Sequence, residues 1–145
     1  MRQLAQLFLV LFSLGATAFA QTADEADSAY RAQQWEKAAS AYQKITAAEP
    51  QNGLAWFRLG TAQIHLGHYA DAAAAFERAE SLKFAPLYTP YNLAAAYARM
   101  GNKEKALAAL GIAADRGFQQ PDLLEKDDDF ASLRDDAGYQ QALAR

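Results

Sequence analysis

Small and large side chains recur along this chain in three columns with one constant interval: Ala38, Ala72 and Ala106; Tyr42, Phe76 and Leu110; Ile45, Ala79 and Ala113. Within each unit the offsets of four and then three residues place the three positions on one stripe of an α-helix. The small member lets two helices approach closely, and the large member fills the space beside the contact. Gly67 and Gly101 stand where one helix should end in a left-handed residue, and Trp35 and Tyr69 stand where the next should begin. A period of about 34 residues predicts a solenoid of helix pairs, each of which can bury its apolar stripe only against its neighbours.

The middle unit carries Trp56, Leu59, Gly60, Leu66, Gly67, Tyr69, Ala72, Phe76 and Ala79. On these residues it resembles the tetratricopeptide repeat family. The resemblance implies an all-α, right-handed solenoid of about three helix-turn-helix repeats, over residues 19–52, 53–86 and 87–120, followed by a C-terminal capping helix within 121–145. The first unit opens with a degenerate helix, and the third opens with Asn92, Leu93, Ala94 and Tyr97. Pro50 closes the first unit as the family pattern expects. Gln33 stands where the other units have Gly, and Lys103 where they have an aromatic, so those two turns are expected to be less well specified. The second unit ends in Ser81-Leu82-Lys83-Phe84-Ala85-Pro86 with its proline displaced, which predicts an irregular linker.

Residues 1–20 have a different pattern: Arg2, an apolar stretch from Leu4 to about Gly15, and Ala18-Phe19-Ala20 as a small-x-small site. This is the order of a cleavable export signal, with the cut expected after Ala20. The alternative, an uncleaved anchor, is disfavoured because the apolar stretch falls short of the roughly 20 residues a spanning helix needs. The product, residues 21–145, is expected to be one domain, periplasmic or secreted, without stable membrane insertion. There is no twin arginine, and the absence of cysteine removes both disulfides and lipid anchoring through a modified cysteine. Loss of Arg2 moves the net charge from −3 to −4, so no basic footprint for nucleic acid is present.

After the third unit, Gly117-Phe118 should end a helix. Pro121 to Leu124 and Asp127 to Asp136 should then lead into a last helix ending near Ala144, with Leu124, Phe130, Leu133, Tyr139 and Leu143 covering the open edge of the array. The aspartates fit helix N-caps and solvated surface. The stretch resembles a tail that follows the final repeat in many bacterial tetratricopeptide proteins, which implies a terminus of the array.

In the family register the first helix of each pair lines a concave groove. Residues four apart share a helix face, which assigns Ala23, Asp27 and Arg31, then Phe57, Thr61 and His65, then Tyr91, Ala95 and Arg99 to that face, with Tyr30, Ile64 and Ala98 at its edge. Aromatic area flanked by arginines suits an extended peptide or a partner helix. Against this, Phe57 and Tyr91 also fit simple packing between neighbouring helices. Some members of the family grip the acidic C-terminus of chaperones with Lys, Asn and Arg. Here Asp27 opposes such a clamp, the three groove helices hold no Lys, and Asn92 with Arg99 is only a fragment of it.

Catalytic chemistry finds little support. His65, His68 and Asp71 are the best metal candidates, but Gly67 lies between the histidines at a helix end, and no third His or Cys exists to complete a zinc tetrahedron. Asp127 to Asp129 lack the spaced ligands and Gly of a calcium loop. There is no Cys nucleophile, no Gly-x-Ser-x-Gly elbow and no phosphate-cradling glycine loop. The sequence thus predicts no cofactor and a non-catalytic module that binds a protein or peptide in the cell envelope. A structural or assembly subunit is the alternative and a metal-dependent enzyme a distant third. Self-association through the convex face or the ends is open.

Overall fold

The computed structural model describes residues 22–144, so the expected export signal, its cleavage after Ala20 and the start of the first unit lie outside the described residues. Helix α1 occupies 22–31. It is followed by α2 (Trp35–Ala48), α3 (Gly53–His65), α4 (Tyr69–Ser81), α5 (Tyr88–Arg99) and α6 (Lys103–Asp115). Three short elements complete the chain: α7 (Pro121–Lys126), a 3-10 helix (Asp128–Leu133) and α8 (Ala137–Leu143). No strand occurs among the described residues. Packing runs between successive helices, α2 on α3, α3 on α4, α4 on α5 and α5 on α6, which is the layout of a helical solenoid.

The columns of the sequence are the seams of this stack. Ala38, Ala72 and Ala106 are completely buried, and Tyr42, Phe76, Leu110, Ile45, Ala79 and Ala113 are buried beside them. Gly60 shows why a small residue is needed at such a seam. A Cβ built there would lie 2.7 Å from the ring of Phe76, a separation no real side chain tolerates.

The period of the sequence reappears in the backbone. Gln33 (φ 55°), Gly67 (φ 75°) and Gly101 (φ 74°) are left-handed at successive steps of it, and Lys83 (φ 56°) precedes Gly117 (φ 93°) by the same step. Gln33 therefore adopts the family geometry without the family residue, so this turn is as regular as the others but conformationally strained. Gln33→Gly is expected to stabilise the protein by about 0.5–1 kcal/mol, read as a raised urea midpoint with an unchanged slope. The linker after α4 is irregular as predicted, with Lys83 and Ala85 (φ 42°) both left-handed.

The last helix, α8, ends next to Ala144 as expected, and the segment leading into it forms two further short helical elements. Asp127 turns extended (ψ 114°) and its carboxylate accepts from the Asp129 amide at 2.9 Å, starting the 3-10 helix. Asp136 accepts from the amides of Gly138 and Tyr139 and starts α8. Short side-chain acceptors thus compete with helix continuation and break the segment into three. Even so, α8 begins at Ala137, one full period after α6 begins at Lys103, as α6 follows α4 at Tyr69 and α4 follows α2 at Trp35. The cap is a shortened fourth helix pair that keeps the register of the array. Leu124, Phe130, Leu133 and Tyr139 are buried, with the Tyr139 hydroxyl donating to the Leu124 carbonyl at 2.6 Å.

Candidate functional site

The first helices of the pairs present rows at helical spacing: Asp27 and Arg31 on α1; Leu54, Arg58, Thr61 and His65 on α3; Tyr88, Asn92 and Arg99 on α5. The centre is a polar knot. The Asp27 carboxylate accepts from the Tyr42 hydroxyl at 2.7 Å and from the Arg58 guanidinium, which also donates to the Tyr42 oxygen at 3.0 Å. Arg58 lies 5.3 Å from the centre of the half-buried Tyr30 ring. The Tyr42 hydrogen bond, with Arg58 adding its charge, holds the Asp27 carboxyl below the usual range despite partial burial. Burial, reinforced by Asp27, pushes the Tyr42 phenol well above its ordinary value.

The far edge, where first helices end and second helices begin, is a pair of stacks. His65 is exposed and lies flat on Trp35, ring centres 4.0 Å apart at 7°. Arg99 is exposed, sits 4.8 Å from the centre of the Tyr69 ring and donates to its hydroxyl. Arg99 also lies 3.5 Å from the Asp129 carboxylate of the cap. Arg31 is exposed at the end of α1.

Other assigned positions are placed differently. Tyr91 and Ala95 are core residues, not groove residues. The 3-10 helix packs on α5 where the first helix of a further repeat would lie, and Tyr91 stacks 4.7 Å from Phe118, tilts against Phe130 and donates to Asp127. Burial, with Asp127 second, drives the Tyr91 phenol far up. Phe57 is half-buried between Phe76 (5.7 Å) and Phe84 (5.6 Å), and the Thr61 hydroxyl donates to the Phe57 carbonyl at 3.1 Å. Ala98 is buried, while Ala23 and Ile64 are half-buried. Sequence reasoning missed Arg58, Trp35 and the exposed Leu54 and Tyr88. The signal for the last two was present: they head the rows on α3 and α5 and stand one repeat period apart.

Asp129 is pushed the wrong way for an anion. Its pKa is raised, chiefly by burial and then by Asp127, with Arg99 and His65 opposing. A folded pKa above the unfolded one means that this group's stabilising contribution is complete below the unfolded value and is lost as pH rises through the folded value. Asp129→Asn is therefore expected to raise the urea midpoint at about pH 7, with the gain shrinking as pH falls towards about 4.

His65 and His68 have separate partners, since His68 Nδ1 lies 2.8 Å from Gln63 Oε1 while His65 stacks on Trp35. No group of three His, Asp or Glu side chains is placed to hold a metal ion among the described residues, and no described helix is long and apolar enough to cross a membrane.

Residues 23–86 match a family model described as tetratricopeptide repeat. No curated protein matches the chain. Several solved structures do. MamA of AMB-1 is 28% identical with a TM-score of 0.63, over 66% of this chain and 54% of that one, so this chain spans about half of its length. A chain of the CopN-Scc3 complex is 21% identical with a TM-score of 0.67, over 86% and 73%. The Yersinia enterocolitica type III secretion translocator chaperone SycD, in an alternative dimer, is 17% identical with a TM-score of 0.63, over 88% and 90%.

Proposed function

We infer, because this chain belongs to the tetratricopeptide repeat family, that it is a non-catalytic scaffold holding a protein or peptide partner against the first helices of its repeats. One observation carries this reading. His65 and Arg99 are exposed yet already stacked on Trp35 and Tyr69, so binding need not first immobilise them. Thr61 lies on the same face of α3 and is half-buried. The similar chain in the CopN-Scc3 complex comes from an assembly and SycD is a translocator chaperone, which agrees with a partner-binding role. The pattern Arg2, apolar stretch, Ala18-Phe19-Ala20 supports an envelope location, with a partner outside the cytoplasm.

The test is affinity capture from envelope extract with tagged protein, beside Thr61→Arg and Arg99→Ala. Arg99→Ala is expected to change stability by no more than about 0.5 kcal/mol, and both variants are expected to lose the captured partner. Equal recovery by wild type and variants would move the partner to another surface and favour an assembly subunit.

A further inference from the structure

Both ends of a helical solenoid need cover, and at the C-terminal end the 3-10 helix and α8 supply it. At the N-terminal end Thr22, Ala29, Lys37, Ser40, Ala41 and Lys44 line a cavity of about 560 Å³ between α1 and α2. The positions one period later line a second cavity, of about 520 Å³, between α3 and α4. That one has a further wall, Gln43 and Thr46 of α2, the second helix of the preceding pair. The same groove therefore occurs twice, and inside the array it receives the second helix of the pair before it. Moved back by one period, α2 (Trp35–Ala48) falls on residues 1–14. Its buried positions Ala38, Ala39, Tyr42, Ile45 and Thr46 fall on Leu4, Ala5, Phe8, Leu11 and Phe12, all apolar. The polar residues of 1–14 are Arg2, Gln3, Gln6 and Ser13, and they fall on Glu36, Lys37, Ser40 and Ala47, all exposed on α2. An export signal needs a charge and an apolar stretch but no such sorting by helix face.

We propose that, while the export signal is still attached, residues 1–14 seat as a helix in the groove between α1 and α2 and complete the N-terminal end of the array. The segment is tethered to its seat, because residues 15–21 lead from it into Thr22, which is itself on the groove wall. Tethering on that scale gives an effective concentration of about millimolar. A helix of this length is marginal alone in water, and burial of Leu4, Phe8, Leu11 and Phe12 supplies the missing stabilisation. The connection has the required length as well: residues 15–18 fall on 49–52, which join α2 to α3. In this register Ala20 falls on Leu54, the second residue of α3, so the bond expected to be cut would lie within a helical turn. Chains are cut where the backbone is exposed and locally open. Seating and cleavage therefore exclude one another. Export has to take the segment before the first pair closes on it, or draw it out again, and the cut then leaves the groove uncovered.

The chain has no cysteine, so a pair of them can be introduced as a probe. The full chain is made by cell-free synthesis, which keeps residues 1–20 attached, as Leu9→Cys/Ser40→Cys and as Val10→Cys/Ser40→Cys. Leu9 falls on Gln43, which lines the later groove together with Ala74, the counterpart of Ser40. Val10 falls on Lys44, which lines the groove on the other side of α2. The two probes share one tether and differ only in helix face. With a short bismaleimide the Leu9 pair is expected to link within one chain roughly tenfold faster than the Val10 pair. Phe8→Gln/Leu11→Gln should erase that preference, since it removes the apolar face and leaves the tether. Equal rates for the two pairs, including no linkage by either, would overturn the proposal. So would a preference that survives Phe8→Gln/Leu11→Gln, or linkage between two chains, which would place a second copy in the groove.

Discussion

Phe76→Ala is expected to cost about 3–5 kcal/mol, against a total of about 5–15 kcal/mol for a domain of this kind. The ring has no solvent exposure, lies directly over Gly60 and meets Phe57 edge-on at 5.7 Å. It belongs to α4 but touches α3, so its loss opens the seam inside the middle pair, the pair on which both flanking pairs lean. The neighbours cannot close the cavity, because Gly60 has no side chain to lean in and Phe57 is held by Phe84. Urea denaturation reads this as a large fall in midpoint. The reverse error is smaller: Gly60→Ala adds one methyl where the ring stands at 2.7 Å and should cost about 1–3 kcal/mol. A loss below about 1 kcal/mol for Phe76→Ala would mean that this seam does not hold the array together.

The second large effect is expected from Phe130→Ala, and its character differs. Phe130 is also fully buried, 5.6 Å from Tyr91 and 5.8 Å from Tyr139, but it sits at the end of the array, on the cap. The cap consists of elements of six or seven residues, too short to be helical without their packing. Removing about 3–5 kcal/mol from their central contact should detach the segment rather than unfold the chain. Hydrogen exchange followed by mass spectrometry is expected to show lost protection over residues 121–143 and in α5, with α2 to α4 retaining theirs. Uniform loss of protection would show the cap and the array to be one cooperative unit. Detachment would also uncover Tyr91 and Ala95, which makes the variant a direct probe of how far the cap shortens the binding face.

Much of the fold was legible because its determinants are local and periodic. Ala72 and Phe76 announce a helix seam by their spacing alone, and Gly67 announces its turn by being glycine. Gln33 could not be read this way, since nothing in a glutamine shows that it is left-handed; only its place one period before Gly67 does. The cap was half legible. Its apolar residues point inward as expected, but the column rule fails there, with Gln140 and Ala144 where small and large residues would continue it, so the fourth pair is visible only as backbone register. The site was harder still. Tyr91 and Thr61 look alike as positions on first helices. Whether such a position is open depends on what lies over it, and the 3-10 helix that lies over Tyr91 comes from a distant part of the chain.

Packing between successive helices has a kinetic consequence. No helix must wait for a distant segment before it can bury its stripe, so loop-closure entropy is small at every step and the main refolding phase should fall in microseconds to milliseconds; a main phase slower than about a second would contradict this. During synthesis the first two helix pairs can close on one another while the cap is still being made. The nascent chain then trails a single uncovered edge, that of its latest helix, until Phe130 and Tyr139 arrive.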